Sequence, residues 1–179
     1  MCADASDRKH APKDAKLAFR RRPYARDVAA LSRLVAATGV FYPTELAVAR
    51  EILEERLAHG RKSGYSFVFA EQNGTLVGYT AWGPIPLTRG SYDLYWIAVD
   101  PAAQGAGVGQ ALLQETERDV AIRGGGRIYI ETSSRPTYER TRRFYVRAGY
   151  DEVARLQEFY GPGDDKVMYC KVVAPTRGG

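Results

Sequence analysis

Three glycines stand at alternate positions in Gln104-Gly105-Ala106-Gly107-Val108-Gly109-Gln110, immediately before the apolar-periodic run Ala111-Leu112-Leu113. A glycine loop that opens a helix presents backbone N–H groups with no helical acceptor, at the positive end of the helix dipole. Such a terminus suits an anion, above all a phosphate. Glycine lets the backbone approach that anion closely, so side-chain identity at Ala106 and Val108 should matter little. The same glycines could instead serve only to pack a helix start closely against a strand. The first question is which phosphate-bearing ligand fits.

The elements that position this loop can be read from hydrophobic periodicity and turn signals. Asp93 to Val99 (DLYWIAV) reads as a buried strand broken at Asp100-Pro101, and its alternation places Asp93, Tyr95, Ile97 and Val99 on one face. The loop leads into a helix over 107–123, which Gly124-Gly125-Gly126 ends before a strand at 127–132. This strand–helix–strand unit is expected to be a right-handed parallel crossover. Upstream lie a short strand at 16–22 and helices at 24–38 and 43–57. A hairpin follows, from 65–71 to 75–82, turning at Asn73-Gly74. Downstream, a helix over 138–148 stops at Gly149. Strands at 150–159 and 166–173 flank a loop at 161–165. Residues 1–15 are expected to be a disordered tail, 16–173 a single domain and 174–179 a second tail.

Three kinds of glycine loop compete. A nucleotide-hydrolysing P-loop needs Gly-Lys-Ser/Thr, and the chain has no Gly-Lys dipeptide. A dinucleotide fingerprint counted from Gly105 needs its third glycine at 110, where Gln110 stands; Glu131 at the end of the next strand matches that pattern only in part. A hairpin ahead of the loop also argues against a dinucleotide fold. The third kind fits. Gln104 to Gly109 matches Q/R-x-x-G-x-G/A, placed after Ala98-Val99-Asp-Pro, and Phe144-Tyr145-x-x-x-Gly149-Tyr150 follows on the last helix.

With these motifs and this order of elements, residues 16–173 resemble the GNAT N-acetyltransferase superfamily. The resemblance implies an α+β fold of α/β/α layers. Its mixed, largely antiparallel sheet would have about seven strands, splayed between the fourth and fifth, with about four helices around it. It further implies acetyl-CoA as co-substrate and no metal. Ile97, Ala98 and Val99 would bind the pantetheine arm and acetyl carbonyl through a β-bulge near the end of the fourth strand. The backbone from Gln104 through Gly105, Ala106, Gly107, Val108 and Gly109 to Gln110 would hold the pyrophosphate.

Tyr145 matches the family tyrosine beside the thioester sulfur. A phenol with an ordinary pKa of ~10 is protonated at neutral pH and can serve as general acid. Asp93 lies where some relatives carry a glutamate that draws the proton off the amine through water, with Glu131 and Tyr95 in reserve; Asp93 could equally cap the turn after Gly90-Ser91. One departure is clear. Tyr138 and Thr141 stand where the family commonly has Asn and Ala, so Tyr138 is expected to take over the Asn contact with the cofactor. Arg142, Arg143 or Arg147 could meet the ribose phosphate, or form a solvated basic face.

The acceptor is expected to be a primary amine of a small molecule, amino acid or peptide, transferred to directly in a ternary complex. Aromatic residues Phe41, Tyr42, Tyr65, Phe67, Phe69, Phe159 and Tyr160 would line its site, with Glu158, Asp164 or Asp165 at the rim. The alternative is a non-catalytic acyl-CoA-binding module. Composition sets the remaining bounds. A net charge of +5, with arginine spread along the chain, gives little support for nucleic acid as a partner. Cys2 and Cys170 are isolated from each other, so neither a zinc site nor a disulfide scaffold is expected. The N-terminus lacks an apolar signal segment and no apolar run is long enough to span a membrane, which predicts a cytoplasmic protein. A homodimer is left open.

Overall fold

Strand alternation and helix periodicity each find a partner surface in a computed structural model that describes residues 16–176. The tail expected over 1–15 and the last three residues lie outside the described residues. In chain order the elements are β1 (Leu17–Arg20), α1 (Arg26–Thr38), α2 (Pro43–His59), β2 (Ser66–Gln72), β3 (Thr75–Pro84) and β4 (Ser91–Val99). They continue with α3 (Val108–Ile122), β5 (Gly126–Ser133), α4 (Glu139–Arg147), β6 (Asp151–Gly161) and β7 (Asp164–Val173). One seven-stranded sheet has the order β1-β2-β3-β4-β5-β7-β6. Only β4 and β5 run parallel; every other pair is antiparallel.

Each face of the sheet is covered by a pair of helices. Leu31, Val35 and Leu53 from α1 and α2 are buried against Phe67, Phe69, Tyr79 and Ala81. On the other face, Leu113 and Val120 of α3 and Tyr145 and Ala148 of α4 share a cluster with Ile128, Ile130 and Tyr169. Burying side chains of this size contributes about 1.5–3 kcal/mol each, so these two layers fix the sheet between them. The expected α/β/α layering is therefore present. Phe67 and Phe69 belong to this core at 1% and 0% exposure, so they do not line an acceptor site.

Local turn chemistry agrees with the elements. Asn73 and Gly74 both take positive φ, 50° and 76°, as a two-residue hairpin turn requires. The structure differs at the last hairpin. The expected loop at 161–165 is only a Pro162-Gly163 turn, because β6 continues to Gly161 and β7 resumes at Asp164. Residues 174–176 continue along the body, where the Thr176 N–H donates to the Ala121 carbonyl at 3.1 Å. Among the described residues no helix is long and apolar enough to cross a membrane.

Candidate active site

The site begins where the parallel ladder stops. β4 and β5 pair from Ser91↔Arg127 to Leu94↔Ile130 and no further. Beyond that rung β4 stays on β3 as far as Val99, while β5 stays on β7 as far as Ser133. The two strands part because each follows its other neighbour. The result is a cleft of about 880 Å³, walled by Leu94 to Val99 on one side and Ile130 to Ser133 on the other. The edge of β4 that would have faced β5 is left unpaired along this wall.

At one end of the cleft lies the glycine loop. Asp100 caps a single turn by accepting from the Ala102 N–H at 2.8 Å, and the Gln104 amide donates to the Val99 carbonyl at 3.1 Å. These bonds fasten the loop to the end of β4. Gly105 and Gly107 take φ of 80° and 81°, a region that L side chains rarely adopt. The first helical bond of α3 runs from the Ala111 N–H to the Gly107 carbonyl at 3.0 Å. The N–H groups of Val108, Gly109 and Gln110 thus have no helical acceptor and stand at the positive end of a fifteen-residue helix. That arrangement fits a pyrophosphate.

The ends of this loop play different parts. Ala106 is exposed, but Val108 is 2% exposed and packs with Val68, Ala70 and Leu112. Burial overturns the expectation that side-chain identity is unimportant at Val108, which is a core residue. At Gly109 the reason for glycine is space, since a Cβ there would lie 3.3 Å from the Phe144 ring of α4.

A β-bulge decides which residues face which side. In the β3–β4 ladder Ala81 pairs with Trp96 and Trp82 with Leu94, so Tyr95 is the extra residue. It lies nearer the middle of β4 than the resemblance implied. The bulge reverses the alternation beyond it. Ile97 and Val99 pack on the α3 face, whereas Trp96 and Ala98 pack on the α1–α2 face. Tyr95 stacks edge-on against Tyr65, 5.4 Å away, also on the α1–α2 side. Asp93 shares that side, because Tyr92 and Leu94 beside it belong to the opposite core. The single face expected for Asp93, Tyr95, Ile97 and Val99 is thus split in two.

The split gives the cleft two faces. Tyr145 enters from the α3–α4 side at 4% exposure and lines the cleft. Burial, with the Tyr138 and Tyr169 phenols nearby, pushes its hydroxyl well above the usual tyrosine value, so it stays protonated. Glu131 and Tyr95 line the cleft as well. Asp93 does not. It sits one rung below the opening, paired with Tyr129, and burial followed by the Glu131 charge raises its pKa, against a lowering by Lys166. Lys166 is bonded to Glu131 at 2.7 Å.

The remaining wall comes from distant segments. Phe41 packs tilted against Trp96, 5.3 Å between ring centroids, and Glu45 accepts from the Tyr42 N–H at 2.6 Å. The Tyr138 hydroxyl donates to the Val40 carbonyl at 3.2 Å, so this residue reaches across to the loop between α1 and α2. Tyr160 and Asp164 complete the wall, whereas Glu158 and Asp165 staple the β6–β7 turn through the Gly163 and Glu158 N–H groups. Arg142 has a structural task. It donates to the Ser133 and Arg135 carbonyls at 2.7 and 2.9 Å, which fixes the β5–α4 connection. Arg143 is paired with Glu139. Sequence reading missed Glu45, Trp96 and Arg135 as cleft residues. The Tyr42-x-x-Glu45 spacing of a helix cap was the one available signal, for Glu45 alone.

Comparison with known proteins agrees with this geometry. Over 95 residues the chain is 33% identical to the N-alpha-acetyltransferase RimI of Mycobacterium tuberculosis, a stretch covering 52% of this chain and 57% of that protein. The match thus spans little more than half of that relative. The crystal structure of a GNAT-family protein from Desulfovibrio desulfuricans superposes with a TM-score of 0.87 at 47% identity, over 89% of this chain and 100% of that one. The Escherichia coli ribosomal-protein-S18-alanine N-acetyltransferase shares the fold, with a TM-score of 0.71 at 17% identity over 90% and 96% of the two chains. An aminoglycoside 6'-N-acetyltransferase complexed with coenzyme A shares it too, with a TM-score of 0.68 at 20% identity over 91% and 99%. Residues 30–150 match the family described as Acetyltransferase (GNAT), and with the splayed strands and glycine loop in place, the chain belongs to that family.

Proposed function

We propose that this protein is an acetyl-CoA-dependent N-acetyltransferase that acts on a primary amine of a small molecule, amino acid or peptide by direct attack. The observation that carries this reading is the opening between β4 and β5, which passes through the sheet. Its α3 side offers backbone donors for an anion, and its α1–α2 side offers a carboxylate, Glu131, among aromatic rings. Donor and acceptor can therefore meet from opposite faces, as a ternary complex requires.

The residues divide the work accordingly. Val108, Gly109 and Gln110 hold the pyrophosphate through their N–H groups, while Gln104 keeps the loop on β4. The free edge of β4 at Ile97, Ala98 and Val99 bonds the pantetheine arm and orients the thioester carbonyl. Tyr138 flanks the arm at the start of α4. Glu131, held by Lys166, takes the proton from the attacking amine through water. Nitrogen bonds to the acetyl carbon, the carbon–sulfur bond breaks, and Tyr145 gives its proton to the leaving thiolate. Burial keeps that phenol protonated at neutral pH, so it carries a proton to give and does not act as a base.

A panel of peptide, amino-acid and aminoglycoside amines, assayed for CoA release, tests the reading. Release that depends on both acetyl-CoA and an amine is expected. Saturable CoA binding without release to any amine would favour a non-catalytic acyl-CoA-binding module.

A further inference from the structure

Arg135 occupies an unusual place for a loop arginine. Its guanidinium lies 4.9 Å from the Tyr42 ring centroid and 5.2 Å from that of Tyr138, between residues of two separate segments. Nη1 donates to the Tyr42 hydroxyl, and Nε pairs with Asp164 at 3.2 Å while also donating to Ser133 Oγ at 3.2 Å. Asp164 is itself held by the Ser133 hydroxyl at 2.5 Å. One cation thus joins the α1–α2 connection, the β5–α4 connection and the first residue of β7. These are the three segments that rim the acceptor side of the cleft.

Planar guanidinium suits this task, because it can stack on a ring and donate in several directions at once. Lysine could keep the charge pair with Asp164 but would lose the fork. The α1–α2 connection has few other ties across the opening. Phe41 packs on Trp96 of the near wall, and the Tyr138 hydroxyl bonds the Val40 carbonyl. Tyr42, the residue gripped by Arg135, is 56% exposed and leads directly into α2. By contrast, the glycine loop depends on none of these contacts, since Asp100 and Gln104 fasten it to β4; Tyr138 is the one residue common to the two sides.

We propose that Arg135 is the latch of the acceptor mouth, a positioning residue that holds the α1–α2 connection across the cleft and governs acceptor entry independently of donor binding. The proposal deepens the acetyltransferase reading and rests on it for the word acceptor. The latch itself is a statement about Tyr42, Arg135 and Asp164.

Hydrogen exchange on the full chain, with and without CoA, tests it in Arg135→Ala and Arg135→Lys. The hydrogen-bonded amides of Tyr42, Glu45 and Leu46 should exchange at least tenfold faster in Arg135→Ala and somewhat less so in Arg135→Lys. Amides of β4 and β5 and the CoA dissociation constant should stay within twofold of wild type. For each probe amine that wild type acetylates, KM should rise about tenfold with kcat within threefold. If Arg135→Ala does not fold, Tyr42→Phe and Asp164→Asn loosen the same contact from its other ends. Unchanged exchange at Tyr42, Glu45 and Leu46 overturns the latch, as does an equal loss of CoA affinity. Absence of CoA binding by wild type would instead refute the acetyltransferase reading and leave the exchange result to decide the latch.

Discussion

The two sides of the cleft are made of different material. The side proposed for the donor is mostly backbone: free N–H groups at the start of α3, a loop bent at Gly105 and Gly107, and the unpaired edge of β4. The side proposed for the acceptor is mostly side chains, brought by Tyr42, Glu131, Arg135 and Tyr160 from segments far apart in sequence. A backbone site depends on chain geometry and tolerates changes at exposed positions such as Ala106. A side-chain site changes with each substitution. One scaffold can therefore keep its donor while its acceptor varies.

Substitutions can break this contrast, and the largest effect is expected where the two sides meet. Tyr145→Phe keeps the ring packing but removes the proton, so kcat should fall about 100-fold in the CoA-release assay. CoA affinity should change by less than twofold in calorimetry; an undiminished kcat would remove Tyr145 from the chemistry. On the donor side, Gly107→Ala forces an L residue to φ near 81°, at a cost of about 1–2 kcal/mol. CoA affinity should drop about tenfold as the loop relaxes. Val108→Ala should lower unfolding stability by about 2 kcal/mol through the cavity it leaves, whereas Ala106→Ser should stay within about 0.5 kcal/mol in denaturant titrations.

The smallest effect concerns pH and Asp93. Its folded pKa is raised, chiefly by burial and then by Glu131, so the ionised form destabilises the fold. That penalty is present above the folded pKa, shrinks as pH falls through it, and is gone below the unfolded value. Asp93→Asn should therefore melt higher than wild type at neutral pH, with the gap closing toward acid pH. A gap that widens toward acid pH would contradict the assigned environment.

The same contrast explains what the sequence revealed. Glycine spacing, the Asn73-Gly74 turn and the helix periods are local signals, and the elements they predict are present with shifts of a few residues at their ends. The motif pointed to the donor side because that side is encoded over seven consecutive positions, Gln104 to Gln110. The bulge at Tyr95 has no comparable signature, since it arises from how β3 and β4 align over their whole length. Alternation alone therefore placed Asp93 with Ile97 on the wrong face. Arg135 and Tyr42 lie 93 positions apart, and no pattern along the chain links them. Phe67 and Phe69 looked like cleft aromatics because an aromatic strand face reads the same whether it meets a helix or a ligand.

In the proposed complex CoA enters between the splayed strands with its pyrophosphate on the start of α3. Backbone amide spectra recorded during a CoA titration test it most directly. The largest shifts should fall on Gly107, Val108, Gly109 and Gln110, followed by Ile97, Ala98 and Val99, with β1 and β2 unmoved. Shifts confined to the outer face of α4 around Arg143 and Arg147, with the Gly107 to Gln110 amides still, would contradict it.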